Sequence, residues 1–369
     1  MALLSLHIPA GLVVAALTAV AVPFAHSLQT DFWFAADLAP YRALIDAYRD
    51  GRESEAIDGL LAFEGELLHQ MLDSVGDRDA RAIGSGHDPA LNELLFRSAA
   101  MLHLDAADDL WSTGRADAAM SQIEVAVRWA DLGARNPEPD GSFRRRWYLG
   151  VTLLVFERGG WWDALRFVDR VCEALPDDVP LLTTAAWLSE QVALAPVRLG
   201  DAGVAGVRDA QRAKRDGLGD AARRAGAALA ITPDAIEAAL RLARVRMLLE
   251  EDGEAGELLL GLIGRTDLPT PQAYLARLLL GRLAAKADDP ERAERLFREA
   301  VDLMPEGQAA RVALARLLDT QGDRRGAAVV LEPGLTAEPG GFIDPWVDYR
   351  LGLGIGPDLR GALRAELRQ

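Results

Sequence analysis

The chain of 369 residues is poor in several residue types that particular folds and sites require. Its single cysteine, Cys172, excludes disulfides within the chain, a thiolate-ligated iron–sulfur cluster and a CxxCH haem attachment. Runs of β-branched residues, which strands need, are scarce, whereas Ala, Leu and Arg are abundant. We therefore expect an all-α protein, with Cys172 as a small buried residue on a helix rather than a nucleophile.

Catalytic and metal-binding motifs are also lacking. The five histidines are scattered, and none forms an HxxxH or HExxH pair that could hold zinc. No serine or cysteine has a recognisable base nearby in sequence, and acidic pairs such as Asp288-Asp289 fall at expected helix ends or turns. Gly352-x-Gly354-x-Gly356 lacks a preceding strand and the third glycine at dinucleotide spacing. The sequence predicts no enzyme, no catalytic residue, no metal and no cofactor.

Positive charge is in deficit. The formal net charge is −16 at pH 7, and the sequence pI is near 4.8. Such a surface repels phosphate backbones, so we expect no nucleic-acid partner. Solubility explains the excess of acid better than a specific basic partner does.

The N-terminal segment, residues 1–25, carries no charged side chain apart from a protonatable His7. A helix of about 20 apolar residues crosses a hydrocarbon core of ~30 Å, so this segment predicts a membrane anchor or a signal peptide. Cleavage would account for Pro23 and for Ala25 and Ser27 at −3 and −1 of a cleavage site. An uncleaved anchor accounts for the length and for Phe32-Trp33-Phe34, which would lie at the membrane interface.

We favour the anchor, in which residues 1–27 form one transmembrane helix and residues 1–25 contact the lipid bilayer. Both interpretations export the rest of the chain. The expected location is therefore the bacterial inner membrane, single-pass, with the remaining residues in the periplasm.

Two stretches of the chain align with each other at an offset of 34 residues. The aligned positions are Ala293, Phe297, Ala300 and Pro305 with Ala327, Leu331, Gly334 and Pro339, and Leu280-Gly281 with Leu314-Ala315. Small residues at these positions let helices approach closely, large ones fill the groove beside them, and proline ends the unit. The pattern resembles the tetratricopeptide repeat, a helix–turn–helix unit of about 34 residues. The resemblance implies a right-handed solenoid of helical pairs with a concave binding surface.

The resemblance is strongest in residues 274–307 and 308–341, although Pro333 predicts a kinked or short last helix. Weaker units follow the same pattern around turn glycines at Gly51, Gly114 and Gly159. The predicted organisation is an anchor or signal peptide (1–27), N-terminal helical pairs (28–133), a linker (134–144), the main solenoid (145–341) and a C-terminal cap (342–369).

Spacing is irregular between residues 179 and 271. Ala221, Ala228 and Pro233 resemble a second helix, but residues 197–219 are polar and rich in glycine and predict a loop around one short helix. Residues 76–90 and 134–143 predict further loops.

Aromatic residues give the candidate partner-binding sites. Trp161 and Trp162 are adjacent at a predicted turn, so at least one should be exposed or covered by a partner, with ordinary packing between repeats as the competing explanation. Tyr148 falls on an expected core position. Trp346 and Tyr349 are expected to cover the exposed end of the last repeat as part of a docked cap. The alternative is a peptide-like tail offered to a partner.

These features predict a non-catalytic scaffold that binds other proteins. The form we favour is an accessory subunit of a membrane complex, of which respiratory and photosynthetic assemblies are examples. The alternative is a soluble periplasmic module that binds peptides or envelope-assembly factors. Cleavage of the N-terminal segment separates the two.

Overall fold

A computed structural model describes residues 43–62, 89–133, 142–195, 203–336, 343–352 and 359–367. Within these ranges the chain forms α-helices and no strand, which confirms the predicted all-α class. None of the helices described is both long and apolar enough to cross a membrane. The predicted anchor, residues 1–27, and the predicted interface residues Phe32, Trp33 and Phe34 lie outside the described residues.

Within the described ranges the helices are numbered in chain order. Their bounds are α1 (residues 43–49), α2 (Glu53–Ala62), α3 (Pro89–Ser112), α4 (Ala116–Gly133), α5 (Ser142–Glu157), α6 (Trp161–Ala174), α7 (Val179–Leu194), α8 (Gly203–Ile231), α9 (Ile236–Leu248), α10 (Asp252–Ile263), α11 (Thr270–Lys286), α12 (Pro290–Leu303), α13 (Gln308–Thr320), α14 (Arg324–Thr336), α15 (Pro345–Leu351) and α16 (Leu359–Leu367).

A recurring turn joins the two helices of a pair. Its central residue has a left-handed backbone, and the residues at this position are Gly51, Gly114, Gly159, Glu250, Asp288 and Gly322. In the last of these turns the amide of Gly322 donates to the carbonyl of Asp319, and the amide of Asp323 donates to that of Leu318. This is the Schellman pattern, which satisfies the last carbonyls of the first helix, and the second helix begins two residues later. The predicted turn glycines Gly51, Gly114 and Gly159 are confirmed.

The repeat positions pack as the 34-residue alignment predicts. Ala293, Phe297 and Ala300 on α12 are buried, as are Leu314 and Ala315 on α13. Gly281 on α11 lies directly against the Phe297 ring, where a Cβ atom would come within 2.4 Å of the ring. A small residue on the first helix therefore makes room for a large one on the second. Pro333 lies inside α14, which extends to Thr336.

The prediction of a short helix within residues 197–219 is wrong. Helix α8 runs from Gly203 to Ile231 and is 29 residues long. Its apolar stripe of Leu218, Ala221, Ala225 and Ala228 is buried, and these residues recur at helical spacing. Gly217 lets α8 approach Ala193 of α7 closely, since a Cβ atom there would lie 2.9 Å from the Ala193 methyl. Tertiary packing thus outweighs the low helix propensity of the glycines.

The chain divides into two compact units. The first unit comprises Met1–Arg144 and Arg360–Gln369, and the second comprises Arg145–Leu359. In the first unit, Arg364 of α16 forms two hydrogen bonds to the buried carboxylate of Asp105, at 2.8 Å from Nε and 2.5 Å from Nη2. The Tyr48 hydroxyl donates to the same carboxylate at 2.5 Å. Arg364 therefore holds the last helix in place within the first unit.

Candidate partner-binding surface

The second unit presents a continuous surface made by the first helices of four successive pairs, α7, α9, α11 and α13. Neighbouring members of this set contact each other directly. We call this surface the first-helix face. Residues 343–352, which include helix α15, lie across it and are called the docked segment.

One carboxylate anchors the start of the docked segment. Asp344 is buried and accepts a hydrogen bond from the amide of Trp346 at 2.7 Å, which caps α15. It also accepts from the amide of Ala309 at 2.7 Å and from the Tyr274 hydroxyl at 3.3 Å. Pro345 occupies the first position of the helix, where its missing N–H costs nothing. Asp344 therefore satisfies first-turn amides of two helices, α13 and α15.

Arginines on two first helices hold the indole of Trp346. The guanidinium carbon of Arg282 lies 4.2 Å from the centre of the indole ring, and that of Arg244 lies 4.7 Å from it. The Trp346 ring also stacks on Tyr349, with centroids 6.1 Å apart. Cation–π contacts of this kind contribute about 0.5–2 kcal/mol each, and more as the site becomes drier. Burial, and then the charge of Arg244, lowers the pKa of Arg282. The guanidinium groups of Arg244 and Arg282 therefore lie close to each other beside the Trp346 ring.

A buried ion cluster forms the floor beneath Tyr349. Glu190 of α7 is fully buried and pairs with Arg241 at 3.2 Å and with Arg244 at 2.5 Å. Arg241 lies 3.8 Å above the Tyr349 ring and donates to the Tyr349 carbonyl at 3.2 Å. A charge buried at this depth is tolerated only when it is paired and hydrogen-bonded. The docked segment thus supplies part of the environment that Arg241 needs.

Trp187 fixes the far end of the docked segment. This side chain of α7 is buried, and its indole N–H donates to the carbonyl of Arg350 at 3.2 Å. The helix then ends at Gly352, whose φ of 67° closes the last turn. The glycine series at residues 352–356, which resembled a weak phosphate loop, therefore begins as a helix cap.

The outer side of the docked segment is apolar and exposed. Ile343, Val347 and Leu351 recur every four residues and are all solvent-accessible. Beside them is a groove of about 730 Å³, lined in part by Val312, Val347 and Arg316. The face and its segment thus combine exposed apolar side chains with positive charge.

The predicted partner-binding residues fall into two places. Trp161 packs against Phe156, with ring centroids 6.1 Å apart, whereas Trp162 is 70 % exposed, which confirms that the two do not both point inward. Trp346 and Tyr349 belong to the docked segment, which confirms docking. They lie along the first helices of four pairs, however, and not over the end of the last repeat. Tyr148 is buried, as predicted.

Sequence reasoning did not identify the residues that receive the docked segment. Arg241 and Arg244 stand in the apolar stripe of α9, and Glu190 stands in the otherwise uncharged α7. The sequence feature that could have identified these residues is the presence of charged side chains at positions expected to be buried.

Cys172 has the surroundings of a structural residue rather than of a reactive one. Burial raises the pKa of Cys172 to about 11, so the side chain remains a thiol at neutral pH. In the part of the chain that the structure describes, no group of three or more His, Cys, Asp or Glu residues could hold a metal ion.

Comparison with known proteins places the repeat signature near the C-terminus. Residues 284–342 match the tetratricopeptide repeat family. This segment contains α12, α13 and α14. A comparison with curated protein sequences found no match.

Several solved structures are similar to the chain. They include a tetratricopeptide repeat protein from Parabacteroides merdae (15 % identity over 73 % of this chain and 91 % of that chain, TM-score 0.45). Another is TTC0263, a thermophilic tetratricopeptide repeat protein of Thermus thermophilus (20 % identity, 60 % and 99 %, TM-score 0.38). A third is MamA from Desulfovibrio magneticus (18 % identity, 52 % and 93 %, TM-score 0.38). Residues 284–342 therefore carry the tetratricopeptide repeat signature, and the recurring turn and the packing of Gly281 against Phe297 agree with helical pairs of that kind.

Proposed function

We propose that the protein is a non-catalytic scaffold that binds another protein through the first-helix face of its second unit. In this proposal residues 1–27 tether it to the bacterial inner membrane, and the repeats lie in the periplasm. It would serve there as an accessory subunit of a membrane complex. The observation that carries the proposal is the docked segment itself, because the face already holds a helical peptide through side chains of α7, α9 and α11 and a backbone amide of α13.

The contacts to the docked segment are those of a protein interface. Arginine and aromatic side chains meet in a water-poor centre, and such residues dominate binding energy at interfaces. Two of the hydrogen bonds go to backbone carbonyls, at Tyr349 and Arg350, and so depend little on the peptide's sequence. The face is therefore suited to holding a short helix, with the rings supplying selectivity.

Extraction from native membranes tests the scaffold and its tether together. We would extract the membranes with a mild detergent, separate complexes on a native gel and identify by mass spectrometry this chain, its N-terminal peptide and its companions. The proposal predicts the intact N-terminal peptide within a large complex of defined composition. A chain that begins near Leu28 and is soluble with a bound protein would replace the anchored subunit by the soluble periplasmic module. A chain recovered without any stoichiometric protein would contradict both.

Trp162 offers a second surface that a partner could use. It is 70 % exposed at the start of α6, and an exposed indole is a strong contributor to interfaces. Replacing it (Trp162→Ala) should weaken recovery of the partner while changing the free energy of unfolding by less than about 0.5 kcal/mol. Leu260→Ala, at another exposed apolar residue, is the matched control and should leave recovery unchanged. A loss of stability with normal partner recovery would show that Trp162 serves packing instead.

A further inference from the structure

The docked segment is held as a ligand would be, although it belongs to the same chain. Its partners are far away in sequence, since Arg241 and Tyr349 are 108 positions apart and Trp187 and Arg350 are 163 positions apart. It lies on the surface of the repeats and presents Ile343, Val347 and Leu351 to solvent. Only Asp344, Pro345 and Tyr349 of the docked segment are buried. The Tyr349 ring joins the hydrophobic core of the helical pairs and Trp346 packs against that core, whereas Ile343, Val347 and Leu351 lie outside it.

The receiving side chains would be poorly satisfied without a ring-bearing helix. Arg244 and Arg282 would keep their mutual repulsion and lose the indole between them. Arg241 would lose a carbonyl acceptor and the Tyr349 ring above it, while its salt bridge to the buried Glu190 would remain. A face of this composition selects a segment that offers aromatic faces and backbone carbonyls.

We propose that the first-helix face recognises, in a partner protein, a short helix that begins with Asp-Pro and carries Trp and Tyr three residues apart. The chain's own residues 343–352 are an internal copy of that ligand and compete for the same face. Partner binding then requires displacement of the docked segment. This inference rests on the proposed function, since it names the chemistry of the partner and the step that controls access to it.

The recognition features follow from the contacts. The leading aspartate reaches the amide of Ala309 and the Tyr274 hydroxyl, and the proline starts the helix. A spacing of three residues places both rings on one side of the helix, toward the arginines. Residues on the opposite side, such as Val347, make no selective contribution because they face solvent.

Competition within one chain has a measurable consequence. A tethered segment acts at an effective concentration of about millimolar, so it suppresses binding of the same peptide added from outside. The apparent affinity for an added peptide falls in proportion to the fraction of free face. Weakening the internal copy should therefore strengthen binding of an external one.

The test uses the full-length chain and a labelled synthetic peptide with the sequence of residues 343–352, followed by fluorescence anisotropy. The internal copy is damaged by the double substitution Trp346→Ala and Tyr349→Ala, which replaces no residue of the four first helices. Val347→Ala in the same segment is the matched control. A second peptide with alanine at the Trp and Tyr positions tests selectivity, and Arg282→Ala added to the double variant tests the face. Circular dichroism and thermal unfolding establish that each variant is folded.

We expect the folded double variant to bind the peptide about tenfold more tightly than the wild-type chain or Val347→Ala. The alanine peptide should lose most of this affinity, and Arg282→Ala should reduce it about threefold or more. A folded double variant that binds neither peptide, or both peptides equally, would overturn the inference. The proposed function is tested separately. It would be contradicted if no partner protein were recovered from native membranes, regardless of the result of the peptide-binding experiment.

Discussion

Replacing Gly281 by alanine places a methyl group where the structure has no room for it. The new Cβ atom would lie 2.4 Å from Cε1 and 2.6 Å from Cδ1 of Phe297. Carbon atoms in contact are normally about 3.5–4.0 Å apart, so the ring must move by about 1 Å. Phe297 is buried between α11 and α12, where little space is available for such a movement.

The net effect is a balance of two terms. Overpacking a buried site costs about 1–3 kcal/mol, whereas alanine is about 1 kcal/mol better than glycine within a helix. Gly281→Ala should therefore lower the free energy of unfolding of the second unit by up to about 2 kcal/mol. For a unit of this size each kcal/mol corresponds to about 2–4 °C in Tm.

Gly256→Ala is the matched control. It makes the same chemical change inside another helix, α10, and nothing lies within 4 Å of its Cβ position. This variant should gain about 0.5–1 kcal/mol. Thermal unfolding followed by circular dichroism measures both variants under the same conditions.

A double variant separates the contact from other causes. Adding Phe297→Leu to Gly281→Ala removes the ring edge, so the two losses should sum to more than the loss in the double variant. The close packing of α11 and α12 would be refuted if Gly281→Ala raised Tm as much as Gly256→Ala does.

Three further predictions concern buried polar groups. The Tyr349 hydroxyl is buried without a hydrogen-bond partner among the described residues. Chemical denaturation should therefore show that Tyr349→Phe leaves the free energy of unfolding unchanged or raises it by up to about 1 kcal/mol. A loss of more than about 1 kcal/mol would reveal a partner for the hydroxyl. Burial lowers the pKa of His103 to about 4 from 6.5, so the unfolded state takes up the proton first as pH falls. The contribution of His103 to the free energy of unfolding should be fully present above pH 6.5 and should be lost, by up to about 3 kcal/mol, as the pH falls toward 4. His103→Gln should remove this part of the pH profile of stability, and an unchanged profile would contradict the assignment. Arg364→Ala leaves the Asp105 carboxylate buried without its cation. The substitution should therefore lower the free energy of unfolding by about 2–3 kcal/mol and speed amide hydrogen exchange in α16. Wild-type exchange rates in α16 would show that the Arg364–Asp105 pair does not hold the helix.

The helical pairs of residues 270–336 could be predicted because their packing follows a repeated local pattern. Ala293 and Phe297 occupy positions that the 34-residue offset defines, and both are buried as the pattern requires. Glycine at the turn also has a local cause, since the left-handed backbone disfavours other residues.

Two turns could not be recognised in this way, because Glu250 and Asp288 take the left-handed position where the pattern expects glycine. Such a residue costs about 1–2 kcal/mol, which the helix packing on either side must offset. The acidic residue that follows is the better signal at the second turn. Asp289 accepts a hydrogen bond from the amide of Arg292 and so caps α12.

The position of the docked segment depends on contacts that no local pattern encodes. The sequence predicted a helix near Trp346 and Tyr349, but the helix that each ring would meet is set by the stacking of the pairs. Arg241 and Arg244 are visible in the sequence only as charged residues in an apolar stripe, and they become a binding surface when α7 and α11 lie beside α9.

Site-specific photo-crosslinking in native membranes tests the central claim most directly. A photoreactive phenylalanine derivative would replace Val312 on α13, beside the docked segment, or Val329 on α14, the second helix of the same pair. The two valines are 56 % and 60 % exposed, so they differ in location rather than in access. We predict a crosslink to one protein partner from position 312 and none from position 329. A partner crosslinked from position 329 alone would show that the first-helix face is not the surface that binds.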